Sequence, residues 1–211
     1  MRKAICHIFA AGDYNGNFIK GSDDIVIAAD AGYNHLVKLG IEPDILLGDF
    51  DTIGNIPSNL QNVIRFPTVK DYTDTHLAIN EGVTRGYTSF AIYGAIGGKR
   101  LEHTIANLQL ACDCVKKGYD IFLTNGETYV YPLHNSSIEF DAQQSGIISV
   151  FCMCDKASGV TIKGLKYELY DAVLTNNFPV GVSNEFIGNK AFVSVNDGTI
   201  IVMSCFPKSE Q

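Results

Sequence analysis

Residues 25–51 read IVIAADAGYNHLVKLGIEPDILLGDFD. An apolar β-branched run (25–29) leads through Asp30-Ala31-Gly32 into a helical pattern that stops at Gly40. A second apolar run (44–47) then ends in Gly48-Asp49-Phe50-Asp51. Strand, helix and strand in close succession imply a parallel pairing, because the helix serves as the crossover. Both apolar runs are continuous rather than alternating, which fits strands covered on both faces.

The same alternation extends on either side. Further strand-like runs cover 4–9, 63–66, 89–93 and 121–124, and helical patterns cover 73–85 and 103–117. Gly40, Gly86 and Gly118 stand at plausible helix C-caps, and Lys116-Lys117 favour the C-terminal end of the last helix dipole. The fold class implied is α/β, a mainly parallel sheet with helices on both faces. From about Thr128 the texture changes to short β-rich runs at 147–154, 159–169, 191–195 and 199–204. Turn signals separate them: Asn135-Ser136-Ser137, Ser158-Gly159 and Asn196-Asp197-Gly198. The Asp-Gly between alternating apolar runs predicts a hairpin. We therefore expect an α/β domain over 1–127 and a small antiparallel β-sandwich domain over 128–211, with no internal repeat.

The bulk properties narrow the function. Of 211 residues, 46 % are hydrophobic and 18 % charged, which suits a packed core. A formal net charge of −7 argues against nucleic acid as a partner, since a phosphate backbone needs a basic face. No stretch is apolar over the length of a membrane span. Residues 1–11 faintly resemble a secretory signal, but the run is short, contains His7 and flows into Gly12-Asp13, so it reads as a first strand. Six cysteines without a secretory signal point to reduced thiols and a cytoplasmic location. Cys112 and Cys114 lie two apart on a helical pattern, where side chains diverge by about 200°. Cys152 and Cys154 fall in a strand-like run. Neither pair reads as a zinc site.

Chemistry concentrates in two pairs of aspartates. If strand geometry persists past Leu47, Asp49 and Asp51 leave one face and Phe50 the other. Asp71 and Asp74 stand three apart where a helix begins, and so can share a helical face. Single aspartates after strands and at helix N-caps are commonly solvated or capping. Two pairs at element boundaries point instead to a shared site. Carboxylate oxygens that leave room for water suit Mg²⁺ together with substrate phosphates. The loops at strand ends add to this: Ala10-Ala11-Gly12-Asp13, Ala28-Ala29-Asp30-Ala31-Gly32 and Gly94-Ala95-Ile96-Gly97-Gly98-Lys99-Arg100. Glycines permit close backbone approach to a phosphate, and Lys99 and Arg100 supply cations that could neutralise it. The loop is neither a Walker loop nor Gly-x-Gly-x-x-Gly. His103 opens the following helix, while His7, His35, His76 and His134 show no pattern. Ser183-Asn184-Glu185 reads as a turn.

As a set, these motifs resemble the thiamin pyrophosphokinase family. The ordered series comprises Ala28-Ala29-Asp30-Ala31-Gly32, Gly48-Asp49-Phe50-Asp51-Thr52, Lys70-Asp71-Tyr72-Thr73-Asp74, Gly97-Gly98-Lys99-Arg100-Leu101-Glu102-His103-Thr104-Ile105-Ala106-Asn107 and Gly181-Val182-Ser183-Asn184-Glu185. The likeness spans nearly the whole chain. It implies an α/β nucleotide domain followed by a β-sandwich, and a homodimer with thiamin bound between subunits. The reaction it implies moves the pyrophosphoryl group of ATP to the thiamin hydroxyl and releases AMP. By motif, Asp49, Asp51, Asp71 and Asp74 match the magnesium ligands. Asp30, Lys70, Arg100 and His103 match the ATP side, and Ser183 and Asn184 the thiamin side contributed by the partner subunit. Asp71, Asp74 and Asp49 match the catalytic carboxylates, with either Asp71 or Asp74 as the proton acceptor. Three positions depart from the pattern: Ala31 replaces a usual Gly, Glu102 a usual Asp, and no tryptophan exists to stack on thiamin. Two other readings stand beside this one. A metal-dependent glycosyltransferase would use Asp49-Phe50-Asp51 but leave the second aspartate pair unexplained. A non-catalytic nucleotide- or thiamin-binding sensor need not keep a full metal cluster.

Overall fold

The computed structural model describes residues 3–51 and 60–206, so Thr52 lies outside the described residues. The chain divides into two compact units. Residues up to 110 together with 118–126 form the first, and residues 111–117 together with 127 onward form the second.

Among the described residues the first unit holds six parallel strands: β1 (Cys6–Phe9), β2 (Ile25–Ala29), β3 (Ile45–Gly48), β4 (Val63–Arg65), β5 (Ser89–Tyr93) and β6 (Asp120–Thr124). Their order is β6-β5-β1-β2-β3-β4. Every residue of β1, β2, β3 and β5 is buried, as their largely apolar composition demands. Asp30–Gly32 forms a short 3-10 turn that runs into helix α1 (Tyr33–Leu39). Gly40, in the left-handed region at φ 68°, ends α1 by donating back to Leu36 and Val37. Helix α2 (Asp74–Thr84) starts at Thr73, whose Oγ1 accepts the His76 N–H at 3.2 Å. Helix α3 spans Leu101–Lys116.

Helices cover both faces of this sheet. Tyr33 and Leu36 of α1 pack against Phe9, Val26 and Ala28. On the opposite pleat α2 approaches so closely that a methyl at Gly82 would stand 2.8 Å from Cys6 Sγ and from Phe90. Each fully buried Phe, Leu or Ile contributes about 1.5–3 kcal/mol. His7 is buried with them. Its Nε2 meets Asp24 Oδ2 at 3.0 Å and its Nδ1 the Tyr93 hydroxyl at 3.0 Å, tying the strap before β2 to the sheet. Burial works to raise the Asp24 carboxyl, but hydrogen bonds from the Ile5 N–H, His7 and the Gly21 N–H outweigh it. They hold Asp24 well below the usual carboxylate range.

The second unit is an antiparallel β-sandwich. One sheet has the order β12 (Gly181–Glu185), β9 (Ile147–Cys152), β14 (Thr199–Cys205), β7 (Thr128–His134). The other has the order β11 (Leu169–Thr175), β10 (Lys156–Lys163), β13 (Ala191–Ser194), β8 (Ser137–Phe140). Ile148, Val150, Ile200 and Val202 from the first meet Phe140, Val160, Ile162 and Val193 from the second in one core.

Three local expectations change here. The Asp197-Gly198 turn closes no hairpin, because β13 pairs with β10 and β8 whereas β14 pairs with β7 and β9. It is an arch between the two sheets. The Ser158 N–H donates to Asp197 O at 2.8 Å, and the Gly198 N–H to Asn135 Oδ1 at 2.9 Å, so tertiary partners replace the hairpin's own bonds. Residues 159–169 are not one strand. The chain turns at Gly164, where a side chain would meet Lys190 O at 2.0 Å. Ser183-Asn184-Glu185 is not a turn but part of the edge strand β12, bulged between Gly181 and Asn184, with Ser183 at φ 59°.

Among the described residues no helix is long and apolar enough to cross a membrane. All six cysteines are free thiols. Burial pushes Cys6 up to about 12 and Cys112 and Cys114 to about 11.

Candidate active site

The chain lays β1 to β4 outward in one direction and then crosses to the other side of β1 for β5 and β6. The strand order therefore reverses between β1 and β5, and a crevice opens at their carboxyl ends. Two glycine-bearing loops fill its rim. Ala10 N donates to Tyr93 O at 2.7 Å and Gly12 N to Gly94 O at 2.8 Å. A methyl at Gly12 would stand 2.5 Å from Gly94 O, and one at Gly94 2.5 Å from Ala10 O, so only glycine permits this contact. Gly97 and Gly98 follow at φ 81° and 85°. The pocket here is lined by Asp13, Asp30, Asp49, Asp51, Asp74, Gly97, Gly98, Lys99, Arg100, His103 and Asn107, among others.

Three aspartates converge. Asp30, Asp49 and Asp51 each offer a carboxylate oxygen, and these atoms lie within 4.8 Å of one another. The route differs from the pleat argument. Strand β3 ends at Gly48, and Phe50 takes φ 62°, so strand geometry does not persist. Asp49 and Asp51 come together through a turn in which Asp49 Oδ1 accepts the Asp51 N–H at 3.3 Å. Phe50 sinks into the core, with the Arg65 guanidinium 4.8 Å above its ring. Gly48 allows Asp30 to join, since a methyl there would sit 3.0 Å from Asp30 Cβ.

The second pair is divided. Asp74 is the first residue of α2 and lines the pocket. Asp71 precedes the helix, is exposed and is not among the lining residues, so the shared helical face does not form. Lys70 Nζ pairs with Asp74 Oδ1 at 2.7 Å. Arg100 lines the pocket with its side chain 70 % exposed, and its Nε donates to Glu102 Oε1 at 2.8 Å. That bond lowers the Glu102 carboxyl. His103 sits in the first turn of α3, which starts two residues earlier than the periodicity predicts.

In the second unit, Asn184 is 6 % exposed and its amide is engaged locally. Its Nδ2 donates to Tyr167 O at 2.6 Å, and its Oδ1 accepts the Tyr167 N–H at 3.0 Å. Ser183 is exposed, its backbone N–H donating to Ser149 Oγ at 3.0 Å.

Several residues that shape the crevice carried no assignment from sequence. Asp13 Oδ2 accepts the Gly98 N–H at 2.7 Å, and Thr104 Oγ1 accepts the Gly97 N–H at 3.1 Å. Asn107 Nδ2 donates to Ala95 O at 2.8 Å, and His35 Nε2 to Gly12 O at 2.8 Å. Polar side chains one helical turn apart after a glycine loop (Thr104, Asn107) were the available signal for two of them.

The family model "Thiamin pyrophosphokinase, catalytic domain" matches residues 18–123, and "Thiamin pyrophosphokinase, vitamin B1 binding domain" matches 135–200. The chain belongs to the thiamin pyrophosphokinase family. The family's two models fall on the α/β part and on the sandwich, respectively. Solved structures share the fold. Thiamine pyrophosphokinase from Bacillus subtilis superposes with TM-score 0.81 at 24 % identity, over 97 % of this chain and 100 % of that one. A family protein from Enterococcus faecalis gives 0.80 at 24 %, over 98 % and 100 %. Thiamin pyrophosphokinase from Candida albicans gives 0.74 at 15 %, over 95 % and 90 %. No curated protein matches the chain significantly.

Proposed function

We propose that this chain transfers the pyrophosphoryl group of ATP to the hydroxyl of thiamin, giving thiamin diphosphate and AMP. The observation that carries the reading is the trio Asp30, Asp49 and Asp51, facing a glycine loop with Lys99 and Arg100 across one pocket. Three hard oxygen donors close together fit Mg²⁺, and these three residues would hold it. Bound there, the ion supplies charge neutralisation for the polyphosphate.

The residues of the chain do the rest. The Gly97 and Gly98 backbone approaches the phosphates closely, and Arg100 and Lys99 balance their charge. Asp74, at the pocket wall with one oxygen held by Lys70, accepts the proton of the thiamin hydroxyl as that oxygen attacks the β-phosphorus. Asp71, being outside the lining, is the poorer candidate. A homodimer with thiamin at the subunit interface is the assembly this reading favours, and the exposed apolar residues Tyr167, Tyr170, Val173, Phe178 and Val180 of the second unit support it.

The test is a turnover assay with ATP and thiamin, with and without Mg²⁺. AMP and thiamin diphosphate should form in equal amounts and only with the ion. Nucleoside diphosphate release from a sugar donor would favour the glycosyltransferase, and binding without turnover would favour the sensor.

A further inference from the structure

The crevice contains an acidic residue on the side where an anionic substrate is expected. Asp13 lies in the loop after β1, within the pocket lining, and is exposed. It does not belong to the Asp30, Asp49, Asp51 trio. Its Oδ2 instead takes the Gly98 N–H at 2.7 Å, spanning from the β1 loop to the β5 loop. A methyl built on Gly97 would stand 3.0 Å from the same oxygen, so glycine at 97 lets the carboxylate seat.

We propose that Asp13 is a positioning residue for the nucleotide, a latch that fixes the Gly97-Gly98 backbone in its phosphate-ready shape. The inference rests on the pyrophosphokinase reading above. The two loops are zipped together by three successive links: Ala10 to Tyr93, Gly12 to Gly94 and Asp13 to Gly98. The first two are backbone bonds that any sequence able to approach so closely would make. The third depends on one side chain, and it comes where the loop most needs support. Gly97 and Gly98 both sit at positive φ, and unrestrained glycines visit many other conformations. Thr104 restrains the Gly97 N–H from the α3 side, and Asp13 restrains the Gly98 N–H from the β1 side. With both in place the turn is held between two fixed elements before substrate arrives, which reduces the ordering cost of binding. The geometry also separates this role from that of Arg100. Arg100 offers charge to the substrate, whereas Asp13 donates nothing and acts only through the loop.

Two variants and two readouts test this. Asp13→Ala removes the acceptor, while Asp13→Asn keeps an acceptor oxygen and removes the charge. Hydrogen–deuterium exchange at residues 94–100 should speed up in Asp13→Ala and stay near wild type in Asp13→Asn. In turnover, Asp13→Ala should raise KM for ATP about tenfold, the worth of one hydrogen bond. KM for thiamin should stay level, and Asp13→Asn should restore KM for ATP. A fall in KM for ATP in both variants would show that Asp13 merely repels the substrate, and would overturn the latch. So would equal losses in both variants, or unchanged exchange in Asp13→Ala. If the wild-type chain made no AMP from ATP and thiamin, the functional reading would fall, and the exchange measurement would still decide whether the latch exists.

Discussion

Three carboxylates gathered at one point repel each other until a cation joins them, and that repulsion is measurable without any substrate. Two unit charges 4.8 Å apart, the spacing that bounds the Asp30, Asp49 and Asp51 oxygens, repel by about 1 kcal/mol in water-like surroundings. Three groups make three pairs, and Asp49 takes part in two of them. Asp49→Asn should therefore stabilise the metal-free chain by about 2 kcal/mol at low salt. The amide keeps an oxygen to accept the Asp51 N–H, so the turn survives. For a chain of this length the gain corresponds to a rise in Tm of about 4–8 °C. Magnesium should then act unequally on the two proteins. At a hundredfold excess over its dissociation constant, it should stabilise the wild type by about 2.7 kcal/mol. It should do little for Asp49→Asn, which has lost one ligand charge. The assay is thermal unfolding by circular dichroism in EDTA and then in rising Mg²⁺. The reasoning is refuted if Asp49→Asn melts at or below the wild type in EDTA, or if magnesium raises both proteins equally.

Other outcomes follow from the same structure. Arg100→Ala should raise KM for ATP by about an order of magnitude and leave KM for thiamin level, and an unchanged KM for ATP would remove Arg100 from the site. Asn184→Ala should destabilise the sandwich by about 1–3 kcal/mol in urea unfolding, because two hydrogen bonds to the Tyr167 backbone are lost. Ser183→Ala, at an exposed position, should leave stability unchanged and show its effect, if it meets thiamin, in KM for thiamin. Burial keeps Cys6, Cys112 and Cys114 protonated in the folded chain up to about 11–12, whereas an unfolded thiol ionises near about 8.5. The folded state thus holds more protons across that window. Stability should be intact below about pH 8.5 and fall as pH rises toward 11. A flat Tm from pH 8 to 11 would contradict that burial.

The alternation of apolar runs with helical patterns was enough to specify a parallel α/β unit followed by a β-rich one, because burial on two faces writes itself into composition and period. Strands β2 and β5 fall at the residues the apolar runs mark, and Gly40 caps α1 as its chemistry requires. The aspartate motifs were equally legible as a set. What sequence spacing left open was who meets whom. Asp30 lies nineteen residues before Asp49, yet joins it because parallel neighbours β2 and β3 end side by side and Gly48 leaves room. Asp71 stands beside Thr73 and Asp74 in sequence, yet misses the pocket because the helix begins only after it. The Asp197-Gly198 turn has a hairpin's composition, but its flanking strands have better partners in opposite sheets. Asp13 acquires its place only when β1 and β5 become neighbours across the point where the chain reverses its direction of travel. Local propensity and burial are properties of a segment and can be read along it. Convergence of side chains is a property of strand order, which long-range pairing decides.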